Sequence, residues 1–295
     1  MAINKNMLHA SKEKNFVAVT SVFAAVFLTS FKLGIGLWTN SLGLLSEALH
    51  SALDLVAAVI TMFAVRYADR PADEDHNFGH GKIENISALV ETFLLMITCV
   101  WILYEAGERI IGAKVIVEVN VWSYIVVITS IIIDFSRSRA LMKVAKKYDS
   151  QALEADALHF QTDIWSSMVV FIGLIGAHLG MHYADPVAAM FVAIIVSAIT
   201  YKLGRKTFDD LIDKAPDGLH EQINMIVSKM SDVTAFHDVK IRVSGAIKFV
   251  ELNIHVERTL SIEQAHAISE KVEEAISSAV KNAKVTVHIE PETNE

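Results

Sequence analysis

Two stretches of this sequence share one spacing: Leu45-Ser-Glu-Ala-Leu-His-Ser-Ala-Leu-Asp54 and Glu154-Ala-Asp-Ala-Leu-His-Phe-Gln-Thr-Asp163. Each places an aspartate four residues after a histidine, which pairs His50 with Asp54 and His159 with Asp163. Residues i and i+4 lie on the same face of an α-helix, so each stretch presents one imidazole and one carboxylate in one direction. Two such helices face to face supply two nitrogen and two oxygen ligands, a set suited to tetrahedral zinc.

Both His/Asp pairs lie within long apolar stretches. The chain has 295 residues, of which 53% are hydrophobic, whereas a typical soluble domain is about 45–50% apolar. The excess is concentrated in blocks of about 20 residues, which is the length that crosses a bilayer. An ionisable side chain at the centre of a spanning helix costs about 2.5–3.5 kcal/mol or more for insertion, so four of them indicate function rather than packing.

The apolar blocks predict an all-α transmembrane domain of six helices, over residues 16–38, 42–67, 83–111, 121–145, 151–180 and 187–203. The first apolar run is too long for a signal-peptide core and lacks a clear cleavage site, so we expect it to be retained. Lys and Arg concentrate in the N-terminus, the loop between helices 2 and 3, the connection between helices 4 and 5, and the exit from helix 6. The positive-inside rule therefore predicts that both termini are cytoplasmic. The single cysteine, Cys99, excludes an internal disulfide.

The periodicity changes after residue 207. The sequence predicts a helix over 216–230, strands over 238–244 and 249–256, a helix over 261–280 and a strand over 284–289. Ser261 is the predicted N-cap of the second of these helices. The order helix-strand-strand-helix-strand is typical of a small α+β domain of ferredoxin-like, or metallochaperone-like, type. We therefore expect two domains, a transmembrane domain over 1–207 and a cytoplasmic domain over 208–295.

The tail carries nearly all of the formal net charge of −8. From residue 208 onward nine Lys and Arg residues stand against sixteen Asp and Glu residues, a balance of −7. An acidic tail of this kind argues against nucleic-acid binding.

Taken together, these features resemble the cation diffusion facilitator family of metal transporters. The features are the two His-x-x-x-Asp pairs, the loop Phe78-Gly-His-Gly-Lys82, the six helices and a small final domain with scattered histidines. The resemblance covers essentially the whole chain. It implies a homodimer in the lipid bilayer of the inner, or plasma, membrane that exports divalent metal in exchange for protons and is not an enzyme. It further implies Zn²⁺ as the transported substrate and as a regulatory ligand.

The resemblance also assigns residues to metal sites. The quartet of His50, Asp54, His159 and Asp163 matches the transport site of the family, and histidine at the first position is associated with a preference for zinc. A second site, in the loop between helices 2 and 3, matches Asp73, His76 and His80.

In the tail the match is less regular. The residues at or near the family's metal-binding positions at the dimer contact are His237, His266, His288 and Glu290. Asn253 stands where some members have histidine, and His255 shares its strand face and could substitute. Lys82 and Asp213 match a charge pair that ties two protomers together.

The residues leave alternatives open. The quartet could instead join helices by hydrogen bonds, the loop could be a solvated acidic segment, and the tail histidines could be surface residues. The same fold could carry Fe²⁺, Mn²⁺, Co²⁺ or Cd²⁺, because this ligand set does not exclude them. A membrane metalloenzyme is a further alternative, although the sequence has no HExxH motif, and so is a membrane-anchored metal sensor. Asp134 in helix 4 either lines an aqueous path or pairs with a neighbouring helix, and Glu47 and Glu91 pose the same question.

Overall fold

The N-terminal part of the chain is built from long helices. The computed structural model describes residues 2–39, 42–112, 121–178 and 184–292, and in them this part forms α1 (Ala2–Thr39), α2 (Leu42–Ala68), α3 (Lys82–Gly112), α4 (Val121–Tyr148), α5 (Gln151–His178) and α6 (Ala184–Leu211). The order of six helices is as predicted. The first helix begins well before residue 16, because the polar residues ahead of the apolar run are themselves good helix formers. The predicted end of the fifth helix, Gly180, lies outside the described residues.

The chain forms two compact units. One consists of Met1–Arg70 with Ile83–Thr207, and the other of Pro71–Lys82 with Phe208–Glu295. The loop that precedes α3 therefore groups with the C-terminal unit, whereas the sequence prediction assigned it to the membrane domain. The functional division at residue 207 stays a prediction.

Among the described residues, three helical stretches are long and apolar enough to cross a membrane by length and composition: His9–Thr39, Glu47–Ala68 and Lys82–Tyr104. In α4 the stretch without Asp, Glu, Lys or Arg ends at Asp134. In α5 the corresponding stretch begins only after Asp163. These charges shorten the apolar length of both helices. The topology of six spans therefore stays a prediction.

Small residues bring the helices of the first unit close together. Within it, α1 packs against α2 and α4, α4 packs against α5, and α2 packs against α5. Because small side chains let helix backbones approach closely, α2 and α5 can lie in contact, and these are the helices that carry the two His/Asp pairs. The buried core of these four helices is Val17, Ala18, Ala58, Val65, Leu141, Val144, Ala145, Ala152, Leu153, Ala157 and Phe160.

The second unit contains α7 (Leu219–Val227), β1 (Ala235–Ser244), β2 (Ile247–Val256), α8 (Ile262–Ala279) and β3 (Ala283–Pro291). The strand order is β1-β2-β3, with β1 antiparallel and β3 parallel to β2. This arrangement confirms the predicted α+β class. α7 is shorter than the predicted 216–230 because it begins only after Gly218, whose φ of 77° is left-handed.

The sheet of the second unit packs against its two helices. Ile223 of α7, Ile254 of β2 and Ile276 of α8 are all completely buried. The backbone N–H of Gln264 donates to Oγ of Ser261 at 3.2 Å, and the backbone N–H of Ser261 donates to Oε1 of Gln264 at 2.9 Å. This capping box confirms Ser261 as the N-cap of α8. The unit therefore has a core and helix caps of its own.

Candidate metal centres

The four residues of the predicted transport site converge between α2 and α5. Nε2 of His159 lies 3.0 Å from Oδ1 of Asp54 and 3.7 Å from Oδ2 of Asp163. Nε2 of His50 lies 3.8 Å from Oδ1 of Asp163 and 3.9 Å from Oδ1 of Asp54. Helical spacing fixes each pair, and the contact between the two helices brings the pairs together. Two imidazoles and two carboxylates face one another, and this is a donor set that zinc accepts in four-coordinate sites.

Three side chains of the quartet are largely buried and the fourth is partly exposed. The side chains of Asp54, His159 and Asp163 are 11%, 6% and 13% exposed, whereas that of His50 is 40% exposed. A cavity of about 40 Å³ adjoins the quartet, and one water molecule needs only about 10–15 Å³. His50 therefore marks the side from which a small ion can reach the other three residues.

Further ionisable side chains line the same cavity, and sequence reasoning missed two of them, Lys32 and Arg137. Lys32 of α1 lies in the lining together with Glu47, Asp134 and Arg137. The signal for Lys32 in the sequence is a lysine between Phe31 and Leu33, inside an apolar run. Its importance is visible only once α1 is packed against α2.

The structure answers the questions left open for Asp134, Glu47 and Glu91. Asp134 both lines the cavity and accepts a hydrogen bond from NH1 of Arg137 at 3.3 Å, one turn along α4. Glu47 lines the cavity and pairs with Lys32 at 3.2 Å. Glu91 is fully buried and accepts a hydrogen bond from the hydroxyl of Thr61 in α2. The first two therefore belong to the surroundings of the quartet, and Glu91 joins α3 to α2.

The loop residues predicted as a second site also come together. Oδ1 of Asp73 lies 3.1 Å from Nδ1 of His76, and Oδ2 of Asp73 lies 3.3 Å from Nε2 of His80. The backbone N–H of His76 donates to Asp73 at 2.7 Å and lowers the pKa of Asp73, which keeps the carboxylate ionised. His80 is buried, and its Nδ1 lies 3.3 Å from the carbonyl oxygen of Pro71. If Nδ1 donates there, Nε2 is left as a lone-pair donor to a metal.

An aromatic contact fixes this loop within the C-terminal unit. The guanidinium of Arg242 lies over the ring of Phe78 at 3.6 Å, and Phe78 meets Phe249 edge-on at 5.2 Å. A Cβ added at Gly81 would lie 2.6 Å from the carbonyl oxygen of Ser244, so only glycine allows this approach. The Phe78-Gly-His-Gly-Lys82 loop is therefore shaped by its packing on the β1–β2 hairpin.

The tail cluster differs in composition from the sequence prediction. Oε2 of Glu290 lies 3.3 Å from Nε2 of His237 and 3.4 Å from Nε2 of His255. Register explains the contact, because His255 pairs with Glu290 across β2 and β3, and a bulge follows His237 in β1. The ligand atoms lie within 4.8 Å of one another, so this donor set fits a zinc ion. His255 therefore lies in this cluster, and its use as a ligand in place of Asn253 stays a prediction.

The remaining predicted residues lie at or beyond the edge of this cluster. Nε2 of His288 is 3.8 Å from the other carboxylate oxygen of Glu290, and its side chain is 68% exposed. His266 lies in α8, where it contacts Glu270 one turn later at 3.6 Å. Lys82 and Asp213 form an ion pair of 2.7 Å within a single chain.

Comparison with known proteins identifies the family. The model of the cation efflux transmembrane domain matches residues 18–212, and that of the cation efflux protein cytoplasmic domain matches residues 215–292. The chain therefore belongs to the cation diffusion facilitator family of cation efflux transporters and is a membrane protein.

Two curated relatives bear a name that agrees with this assignment. The "Cation-efflux pump FieF" of Cronobacter sakazakii is 29% identical over 279 residues, which cover 93% of this chain and 91% of that protein. The protein of the same name from Yersinia enterocolitica is 28% identical, again over 93% of this chain and 91% of that protein. Among solved structures, the metal-bound C-terminal domain of the CzcD transporter from Thermotoga maritima is 27% identical. That alignment covers 25% of this chain and 86% of that one, with a TM-score of 0.24.

Proposed function

We propose that this protein exports Zn²⁺ from the cytoplasm in exchange for protons, through the quartet of His50, Asp54, His159 and Asp163. The observation that carries the proposal is the convergence of these four side chains, with Nε2 of His159 only 3.0 Å from Oδ1 of Asp54. Two imidazoles beside two carboxylates suit zinc better than the all-oxygen sets that magnesium and calcium prefer. Membership of a cation efflux family supports the direction of transport.

The exchange follows from the chemistry of the ligands. Zinc binds only neutral histidine and deprotonated aspartate, so every bound zinc ion competes with protons for the same atoms. The ordinary pKa of histidine, about 6.5, lies close to physiological pH, and modest changes in surroundings therefore switch the ring between metal and proton. Alternating access to a site between packed helices would then load zinc from one side and protons from the other.

The tail adds a second role for zinc. Its balance of −7 makes two copies repel each other when no metal is bound. Zinc held by His237, His255 and Glu290 would neutralise part of this charge and favour a tighter homodimer. The positive-inside distribution supports cytoplasmic termini in the inner membrane, so the tail would respond to the metal concentration that the transporter lowers.

Reconstituted proteoliposomes test the proposal. Metal uptake and proton movement are followed with two dyes across a panel of Zn²⁺, Cd²⁺, Fe²⁺, Mn²⁺ and Co²⁺. We expect zinc flux that requires a pH gradient and is accompanied by opposite proton flux. Zinc flux without proton movement would contradict the exchange, and a stronger flux of Fe²⁺ or Cd²⁺ than of Zn²⁺ would contradict the choice of cargo. Metal binding without any flux would favour a sensor.

A further inference from the structure

A buried ammonium group adjoins the cavity of the quartet. The side chain of Lys32 is only 6% exposed. Its Nζ donates to Oγ of Ser51 at 2.8 Å and to Oε2 of Glu47 at 3.2 Å. These two acceptors lie on α2 on either side of His50, the open ligand of the quartet. A buried charge is costly unless it is paired and hydrogen-bonded, so the contacts with α2 hold the cation in place.

A second cation occupies the α4 side of the cavity. Arg137 is 5% exposed, bonds Asp134 and Ser21, and lies over the ring of Phe160 at 3.5 Å. Phe160 in turn contacts the ring of His159 edge-on at 5.6 Å. Each of the two cations thus carries its own carboxylate partner, and neither partner belongs to the quartet.

The charges that line the cavity match the charge of the cargo. The described lining contains four carboxylates and two permanent cations. Within this lining, Glu47 and Asp134 pair with Lys32 and Arg137, and the two ligand carboxylates, Asp54 and Asp163, have no permanent cation of their own. One more buried carboxylate, Asp156, lies behind the lining and shares Ser21 with Arg137. With neutral histidines, one divalent cation matches the charge of the two ligand carboxylates.

We propose that Lys32 is a fixed counter-cation that sets the metal affinity of the transport cavity at a level that permits release. The inference rests on transport through the quartet. A transport site must bind strongly enough to load and weakly enough to unload. Without the ammonium, Glu47 becomes a third carboxylate of the lining without a permanent cation. A bound divalent ion is then held more strongly, since electrostatic attraction is large where water is excluded.

Three variants of the full chain test the role of Lys32. Lys32→Met removes the cation, Glu47→Gln removes its partner, and the double variant removes both while keeping the pair neutral. All are made in a background with Asp73→Asn and Glu290→Gln, so that the quartet dominates binding. Zinc binding is measured by calorimetry on purified protein, and KM and kcat are measured in proteoliposomes.

The matched control is Lys14→Met. Lys14 is another buried lysine of α1, held by Asp69 and Glu84, and it is outside the described lining of the cavity. Its loss removes a buried cation of the same helix without changing the charge beside the quartet. We expect this variant to alter thermal stability and to leave the Kd for zinc unchanged.

The two single variants should change the Kd for zinc in opposite directions. Lys32→Met should lower the Kd for zinc about tenfold or more and lower both KM and kcat, because release becomes slow. Glu47→Gln should raise the Kd, and the double variant should return it to within about threefold of the parent. An unchanged Kd in both single variants would overturn the inference. If Lys32→Met does not fold, Glu47→Gln and the neutral double variant still decide between these outcomes.

Asp163→Ala, made in the same background with Asp73→Asn and Glu290→Gln, separates this inference from the proposed function. If that variant keeps zinc binding and flux, transport through the quartet is wrong. If it loses both while the Lys32 and Glu47 variants behave like the parent, only the role of Lys32 is wrong.

Discussion

The quartet and the tail cluster use the same two kinds of side chain in opposite settings. In the quartet, two helices supply the ligands, and Asp54, His159 and Asp163 are each at most 13% exposed. In the tail, three strands supply the ligands, and the side chains of His237 and Glu290 are 45% and 31% exposed. The exceptions are His50 in the quartet, at 40%, and His255 in the tail, at 14%, so the quartet is the more buried site without being closed. Release of an ion from the more buried site depends more on movement of the helices around it. An open site exchanges ions with the solution, so burial suits transport and exposure suits sensing.

The largest effect is expected from breaking the buried site. Asp163→Ala should abolish zinc flux while the protein still folds, because one of the four proposed ligands of the transport site is lost. The measurement is zinc uptake into proteoliposomes. Ser166→Ala, which changes a non-ligand residue of the same cavity lining, is the control and should keep its flux. Retained flux in Asp163→Ala would contradict the assignment of the quartet.

Breaking the open site should have a different outcome. Glu290→Gln removes the carboxylate that both His237 and His255 contact. Loss of an outer-shell partner of a metal site alone costs about 10–100-fold in affinity, so loss of this ligand should weaken zinc binding to the tail at least as much. Maximal flux should stay unchanged, since the quartet is untouched. Flux should, however, rise less steeply with zinc concentration. Distance measurements between the two tails during a zinc titration check this, and an unaltered response would mean that the tail only dimerises.

A smaller effect is expected from changing one ligand of the quartet rather than removing it. His50→Asp replaces a nitrogen by an oxygen, which makes the site harder and more anionic and also relaxes a geometry adapted to zinc. Because His50 is also the most exposed ligand, at 40%, the substitution should be tolerated. We expect a several-fold shift of the flux ratio from zinc towards cadmium or iron. Equal ratios in the parent and in the variant would remove His50 from the selectivity of the site.

The two sites also differ in how far the sequence predicts them. For the quartet, the spacing of His50 and Asp54 fixes their geometry within one helical turn, so only the contact of α2 with α5 had to be supplied. Sequence reasoning did not identify Lys32, because its partners Glu47 and Ser51 lie on another helix, and the rotation of α1 about its axis decides whether they meet.

In the tail, too, the sequence predicts single strands better than the contacts between them. The sequence predicts the strand that carries His255 and the possible use of this residue, since residues i and i+2 share a face. The predicted strands 238–244 and 284–289 stop short of His237 and Glu290, which the structure places inside β1 and β3. Which residues meet depends on the register of β2 with β3 and on the bulge after His237. A one-residue change of register would turn the cluster to the other face of the sheet. In the structure Glu290 lies closer to His237 and His255 than to His288, and the metal binding of all four residues stays a prediction.

The smallest effects are expected from His288, at the edge of the tail cluster, and from His266, outside it. His288 lies 3.8 Å from Glu290 and is 68% exposed, so it can approach a metal ion only as a weak additional ligand. His288→Ala should weaken zinc binding to the tail by less than about tenfold, below the range for outer-shell partners of a buried metal site. His266→Ala is the matched control, because His266 is also exposed, at 67%, and contacts Glu270 instead of the cluster. It should leave binding unchanged. Calorimetry on the full chain with Asp163→Ala and Asp73→Asn, in which neither the quartet nor the loop site contributes, measures both. A loss in His266→Ala as large as that in Glu290→Gln would mean that zinc binds in the dimer with a ligand from α8, and the cluster of His237, His255 and Glu290 would then be only part of the site.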